Sequence, residues 1–169
     1  MTAELKAGRL LGLTITGDIT VTEDHERWLA VAIEEARLGL CEGGVPIGAA
    51  LVVDGELIAA GRNRRVQWGS VIRHGETDCL EQAGRLSAAT YARATMYTTL
   101  SPCDMCTGAI LLYGIPRIVM GENATFVGAE ETLRKRGVEL LNMDSKVCID
   151  LMGTFIGTHP DIWNEDIGK

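Results

Sequence analysis

One histidine and one pair of cysteines constrain this chain more than any other feature. His74-Gly75-Glu76 stands in one segment and Pro102-Cys103-Asp104-Met105-Cys106 in another. Cys-x-x-Cys alone fits half of a structural zinc site, a redox pair or chance. A lone histidine is more often a core or surface residue than a ligand. Together they form a set of three ligands, His74, Cys103 and Cys106. A structural zinc site has four protein ligands, whereas a catalytic one has three and keeps a position open for water. His25 and His159 have no ligand-like neighbours and read as surface residues. Any fold of this chain must therefore bring residue 74 and residues 103–106 into one coordination sphere.

The hydrophobic pattern says how. Apolar residues recur at helical spacing from Asp24 to about Leu40, and Gly43-Gly44 ends the run. Two apolar runs, Ile47 to Val53 and Leu57 to Gly61, flank Asp54-Gly55, a hairpin signal. A loop is expected through Ser70. Helices are expected over His74–Leu86, Asp104–Tyr113, Glu130–Arg136 and Ser145–Ile156, with strands over Thr95–Leu100, Ile115–Met120 and Val138–Asn142. The tail from His159 to Lys169, rich in Pro, Asp and Trp, receives no element. Right-handed crossovers would make the later strands parallel neighbours. The expected product is an α/β fold with a mixed five-stranded sheet between helical layers. Residues 1–20 read as an extension with a weak strand or coil pattern, and 21–169 as one domain.

Both motifs then fall at helix N-termini, where partial positive charge and free N–H groups stabilise thiolates, the form that binds zinc. Two thiolates also balance the charge of Zn²⁺. The net charge of −7 lacks the basic excess of a duplex-binding surface, although Arg62, Arg64, Arg65 and Arg73 could form a local patch. No apolar stretch is long enough for a membrane helix, and the start reads as no signal peptide. Of five cysteines only Cys103 and Cys106 have motif spacing, which suits a reducing cytoplasm better than a disulfide framework.

The joint pattern H-x-E…P-C-x-x-C is the signature of zinc nucleobase deaminases, in which the glutamate moves protons and is not a ligand. The chain matches it at every fixed position, which makes Glu76 the candidate general acid and base. The likeness extends further. His74-Gly75-Glu76 with Cys79-Leu80-Glu81, Thr98 through Ile110, Tyr113-Gly114-Ile115-Pro116-Arg117, Gly121-Glu122-Asn123, Glu42 through Gly48 and Trp163 through Gly168 all resemble the yeast-type cytosine deaminases. The resemblance covers about residues 24–169. It implies a cytidine-deaminase-like α/β/α sandwich, a homodimer with one Zn²⁺ per subunit, and conversion of cytosine to uracil and ammonia, a pyrimidine-salvage reaction. It also implies a pocket. Asn63 matches the amide that holds the base, Asp166 a tail carboxylate that binds the ring edge and amine, Ser101 a backbone carbonyl and Gly75 a backbone N–H. Phe126 and Trp163 match aromatic lids, and Ile47 the pocket floor. On spacing alone, Asn63 reads as a turn residue, Phe126 and Trp163 as core anchors and Asp166 as a solvated terminal acid.

Three positions depart from the family pattern. Asn164 stands where a second aromatic is expected, Arg73 where an apolar residue is expected, and Asp78 where a small hydroxyl is expected. In isocytosine the reacting carbon lies between two ring nitrogens, and a polar group at the pocket rim would discriminate strongly between such bases. Arg73, Asp78 and Asn164 are the candidates for that rim. Isocytosine, or a cyclic guanidine such as creatinine, is therefore an alternative substrate to cytosine. Editing of a tRNA base is a further alternative, against which the acidic charge and the base-closing tail both weigh. A non-catalytic zinc module is another, against which the intact Glu76 weighs.

Overall fold

The computed structural model describes residues 22–169; the expected N-terminal extension, residues 1–20, lies outside them. The first helix, α1 (Glu23–Cys41), starts at Thr22, whose hydroxyl accepts the His25 N–H at 3.3 Å. It lays Trp28, Leu29, Ala32 and Ala36 on the sheet. Strands β1 (Gly48–Val53) and β2 (Glu56–Arg62) follow as the antiparallel hairpin that Asp54-Gly55 predicts. Both turn residues have positive φ, 52° and 79°, the geometry that keeps a two-residue hairpin turn in step with strand twist.

The sheet has five strands in the order β2-β1-β3-β4-β5. β3 (Ala94–Thr98) pairs antiparallel with β1, while β4 (Arg117–Met120) and β5 (Glu139–Asn142) add on in parallel. The mixed sheet expected from the order of elements is thus what forms. Alternation along β1 sorts the core into two layers. Ala49, Leu51 and Val53 pack with Met96, Ile118, Cys79 and Ile110 on one face. Ala50 and Val52 pack with Trp28, Leu29, Tyr97 and Val119 on the other. The central strand β3 is buried along its whole length, as a sheet covered on both faces requires.

Helices α3 (Gly75–Ala83) and α5 (Asp104–Tyr113) present the motif residues, and α6 (Glu130–Lys135) joins them on the first face. Gly114, with φ of +69°, ends α5. At one edge α7 (Lys146–Thr158) and α8 (Pro160–Asp166) close a third cluster of Val45, Ile47, Leu100, Met152, Phe155 and Trp163.

Four details differ from the sequence expectation. The loop before Ser70 holds one helical turn, α2 (Arg65–Trp68), too short to leave a periodic trace. Helix α3 stops at Ala83 and not at Leu86, because Gly84 adopts φ of +69°; a separate turn, α4 (Ala88–Tyr91), follows under the Ser87 cap. The tail is helical from Pro160, where a missing N–H costs nothing at a helix start. His25 is half-buried, with Nδ1 2.9 Å from the Tyr97 hydroxyl.

The placement of α3 depends on two close fits to β2. A Cβ on Gly61 would lie 2.3 Å from the Cys79 nitrogen, so only glycine lets strand and helix approach this closely. The fully buried Asp78 carboxylate accepts the Arg62 backbone N–H at 3.1 Å, Arg64 Nε at 3.0 Å and Arg73 Nη1 at 2.8 Å. Removing this carboxylate strands two arginines against the protein. Asp78→Ala is therefore expected to lower the unfolding free energy by about 3 kcal/mol, read as a fall in the urea midpoint with an unchanged slope.

Candidate active site

The site forms where the C-terminal end of β3 meets the N-termini of α3 and α5. His74 is the N-cap residue of α3, its backbone N–H donating to the Thr77 hydroxyl at 2.9 Å. Cys103 is the N-cap residue of α5, and the buried Cys106 lies in its first turn. Their ligand atoms all lie within 4.8 Å of one another, with His74 Nδ1 3.5 Å from Cys103 Sγ. Zn–S and Zn–N bonds meeting at a tetrahedral angle would set that edge at about 3.6 Å. The donor set fits zinc by both chemistry and spacing, and it is the one such cluster among the described residues.

Neighbouring groups and burial shift the three side chains in different directions. A hydrogen bond from Cys106 brings the Cys103 thiol down to about 4, with His74 adding to the effect against burial. The same bond, together with burial, pushes Cys106 well up. Burial alone would lower His74, but its bond to Cys103 and the nearby charges of Asp166, Cys103 and Glu76 hold it above the usual histidine value.

Glu76 is buried beside the trio. Its Oε1 accepts the Thr98 hydroxyl at 2.9 Å, and Cys106 Sγ lies 3.3 Å from Oε2. Burial first, then the Cys103 charge, raises its pKa, which suits a carboxyl that must take up a proton and give it back. Thr98 carries no motif of its own; only its place at the end of β3 puts its hydroxyl here.

Next to the trio lies a cavity of about 10 Å³, roughly the room for one water. Ile47, Ser101, Phe126, Trp163 and Asp166 line it with His74, Glu76 and Cys103. Leu100 and Ile167, which lie in family-like segments without a role of their own, complete the wall. Phe126 meets Trp163 edge-on, with centroids 5.6 Å apart. An outer cleft of about 510 Å³ shares His74, Cys103, Phe126 and Asp166 with the cavity and opens to the surface. Gly75 is buried against Ile47 and is not part of the cavity wall.

Two expected contacts are arranged differently. Asn63 lies behind the wall and not in it: its Nδ2 donates to Asp166 Oδ1 at 2.7 Å, and its Oδ1 accepts the Arg65 N–H at 3.0 Å. Asp166 is neither solvated nor only a wall residue, for its Oδ2 lies 3.7 Å from His74 Nε2 and Arg65 Nη1 approaches Oδ1 at 3.4 Å. At 3.7 Å that carboxylate is a charged neighbour of the far ring nitrogen, beyond hydrogen-bond reach.

None of Arg73, Asp78 and Asn164 lines the cavity. Asp78 is consumed by its two arginines and Arg73 by Asp78, while Asn164 is exposed on α8. Arg73 and Asp78 compensate each other as an ion pair at 2.8 Å.

With this geometry in view, the comparisons with known proteins agree. Residues 22–122 match the cytidine and deoxycytidylate deaminase zinc-binding region. The chain is 51% identical to a cytosine deaminase of Candida albicans over 150 residues, covering 88% of this chain and 100% of that protein. It is 39% identical to a tRNA-specific adenosine deaminase of Bacillus subtilis over 102 residues, 60% of this chain and 63% of that protein. A guanine deaminase of Nitrosomonas europaea, only 19% identical, shares the fold at a TM-score of 0.66, covering 92% of this chain and 100% of that one. The chain belongs to the cytidine and deoxycytidylate deaminase family and is a zinc-dependent hydrolytic deaminase that breaks C–N bonds.

Proposed function

We propose that this deaminase takes cytosine as the free base and releases uracil and ammonia. The observation that carries the reading is the cavity itself. It is walled by α8 and by Phe126 and set against His74, Cys103 and Glu76; closed to the room of about one water as it stands, it opens to one small ring only when the aromatic pair parts toward the outer cleft. The match to the Candida albicans protein along its whole length supports the same substrate. The absence of Arg73, Asp78 and Asn164 from the wall removes the reason to prefer isocytosine or creatinine. A net charge of −7 weighs against a polyanionic substrate such as tRNA.

Zinc bound by His74, Cys103 and Cys106 supplies a Lewis acid that makes water nucleophilic near neutral pH. Glu76 takes one proton from the attacking water and gives it to the ring nitrogen, then takes the second from the hydroxyl now on the ring carbon and gives it to the departing amine. One water enters, and uracil and ammonia leave, so atoms balance. The Thr98 hydroxyl holds Glu76 on its Oε1 and leaves Oε2 to carry the proton. Asp166 reads the ring edge and amine, with Asn63 fixing its carboxylate; the Ser101 carbonyl and the Gly75 N–H read the remaining edge. Phe126 and Trp163 cover the base, Ile47 lies under it, and the aromatic pair parts to admit it from the outer cleft.

We assign the protein to a homodimer with one zinc per subunit. The exposure of Trp68 (56%), Val71 (75%), Ile72 (61%) and Leu112 (76%) supports a surface that a second copy covers. A reducing cytoplasm and a place in pyrimidine salvage suit an enzyme whose five cysteines are all free. No helix among the described residues is long and apolar enough to cross a membrane.

Ammonia release from cytosine, isocytosine and creatinine tests the substrate. Cytosine is expected to give the highest kcat/KM, and no turnover of any of the three would sink the reading. Glu76→Gln is expected to lower kcat by about 10²–10⁴-fold while retaining zinc, because it removes proton transfer and no ligand. Cys103→Ser and Cys106→Ser should instead lose the metal. Atomic absorption should then find less than about a tenth of the wild-type zinc after dialysis, since hard oxygen replaces soft thiolate.

A further inference from the structure

We infer that Glu130, a buried acid remote from the chemistry, is a positioning residue that sets the cavity wall through the Ser101 hydroxyl. The kinetic part of this inference rests on the base-deaminase reading above. Glu130 opens α6 and keeps only 6% of its side chain exposed. A carboxylate buried this deeply is costly unless its oxygens are satisfied. Oε1 accepts the Ser101 hydroxyl at 2.8 Å and Asn123 Nδ2 at 3.1 Å, and Oε2 accepts Arg134 Nη2 at 2.9 Å. Glu130 does not line the cavity, whereas Ser101 does.

Ser101 links Glu130 to the segment that carries Phe126. Its hydroxyl, donating to Glu130, is oriented to accept the Gly128 N–H at 3.0 Å. Its own N–H donates to the Glu122 carbonyl at 3.0 Å. Pro102 O accepts the Ala129 N–H at 3.0 Å, and a Cβ on Gly128 would lie 1.9 Å from that same oxygen. The Glu122 carboxylate gathers the Ala124 and Thr125 N–H groups at 2.6 and 2.9 Å. Residues 122–130 are thus pinned at both ends to the 101–102 step, one residue before a metal ligand. Phe126 stands at the middle of that arch. The proton of Ser101 is what Glu130 directs, and the lone pair left over is what holds Gly128. Without the acceptor, the hydroxyl rotates freely, the arch loosens, and the Ser101 carbonyl and the Phe126 ring lose their fixed places around the base. Cost of this kind falls on substrate binding more than on proton transfer, because Glu76 is held separately by Thr98.

The test uses Glu130→Ala, Glu130→Gln, Ser101→Ala and the Glu130→Ala/Ser101→Ala double variant, each with its zinc content measured. Glu130→Ala and Ser101→Ala are each expected to raise KM for cytosine at least about tenfold with kcat changed less than about threefold. The double variant should be no worse than the poorer single one, since both act through one hydroxyl. Glu130→Gln keeps an acceptor for Ser101 and should stay within about twofold of wild type in KM. Multiplying effects, a kcat loss at unchanged KM, or a glutamine variant as impaired as the alanine one would overturn the inference. Hydrogen exchange reads the same link with no substrate at all. The Gly128 and Ala129 amides should exchange at least about tenfold faster in both single alanine variants, with β3 and β4 amides unchanged. Unchanged exchange at Gly128 would overturn it even if cytosine proved to be the wrong base. Should Glu130→Ala fail to fold, Ser101→Ala carries both readings, and a wild-type KM and exchange pattern there would be decisive against it.

Discussion

Two helix N-termini have to meet within one coordination sphere, and most of this structure follows from that demand. His74 and Cys103 are N-cap residues of α3 and α5, so the ligand set exists only if both helices dock on the same face of the sheet with their starts adjacent. The face is supplied by β1 and β3, whose side chains at Ala49, Leu51 and Met96 receive both helices. The approach of α3 is set by Gly61, which admits the helix backbone, and by Asp78, which ties its first turn to β2. Helix starts also carry partial positive charge where thiolates must be held. Topology, packing and electrostatics therefore act on the same few residues, and there is little freedom to alter one without the others.

The proton-carrying carboxylate depends on that docking as well. Glu76 lies in the first turn of α3, so fixing His74 also fixes Glu76 against the end of β3, where Thr98 meets it. Burial then raises its pKa, whereas an exposed glutamate on the same helix would stay ionised and make a poor proton donor. The tail completes the arrangement from the other side. Asp166 reaches the far nitrogen of His74 while Asn63 and Arg65 hold it. The C-terminal helix thereby brings one carboxylate to both the cavity wall and the neighbourhood of the ligand histidine, so loss of the tail would open the wall and remove a charge beside His74.

What the sequence disclosed depended on how local each signal was. The hairpin at Asp54-Gly55, the amphipathic α1 and the bounds of α5 rest on turn chemistry and periodicity, and all were legible. So was the ligand trio, because ligand chemistry admits few residue types at that spacing. The single-turn α2 was not, since four residues carry no period, and α8 was hidden by a composition that reads as loop. Thr98, Leu100 and Ile167 have no chemistry that marks them in isolation; they matter because strand ends and tail converge in space. Asn63 shows the limit from the other direction. A resemblance can name the residue, yet only the coordinates show that its amide is engaged with Asp166.

The positions where this chain departs from its relatives argue a related point. Read one at a time, Arg73 and Asp78 are polar novelties next to a zinc ligand, which is where a change of substrate would be sought. Read as contacts, they are halves of one unit. An aspartate placed at a fully buried position needs compensating charge, and Arg64 and Arg73 supply it from either side. Their guanidinium groups lie 4.6 and 4.8 Å from the ring centroid of Trp68, so the indole bears on both cations and keeps them beside the carboxylate. Such a set holds together by its own contacts and stands apart from the cavity wall. Differences in base preference within this fold are accordingly to be traced through residues whose polar atoms face the cavity, or that hold those residues in place, and not through proximity to the metal ligands in sequence.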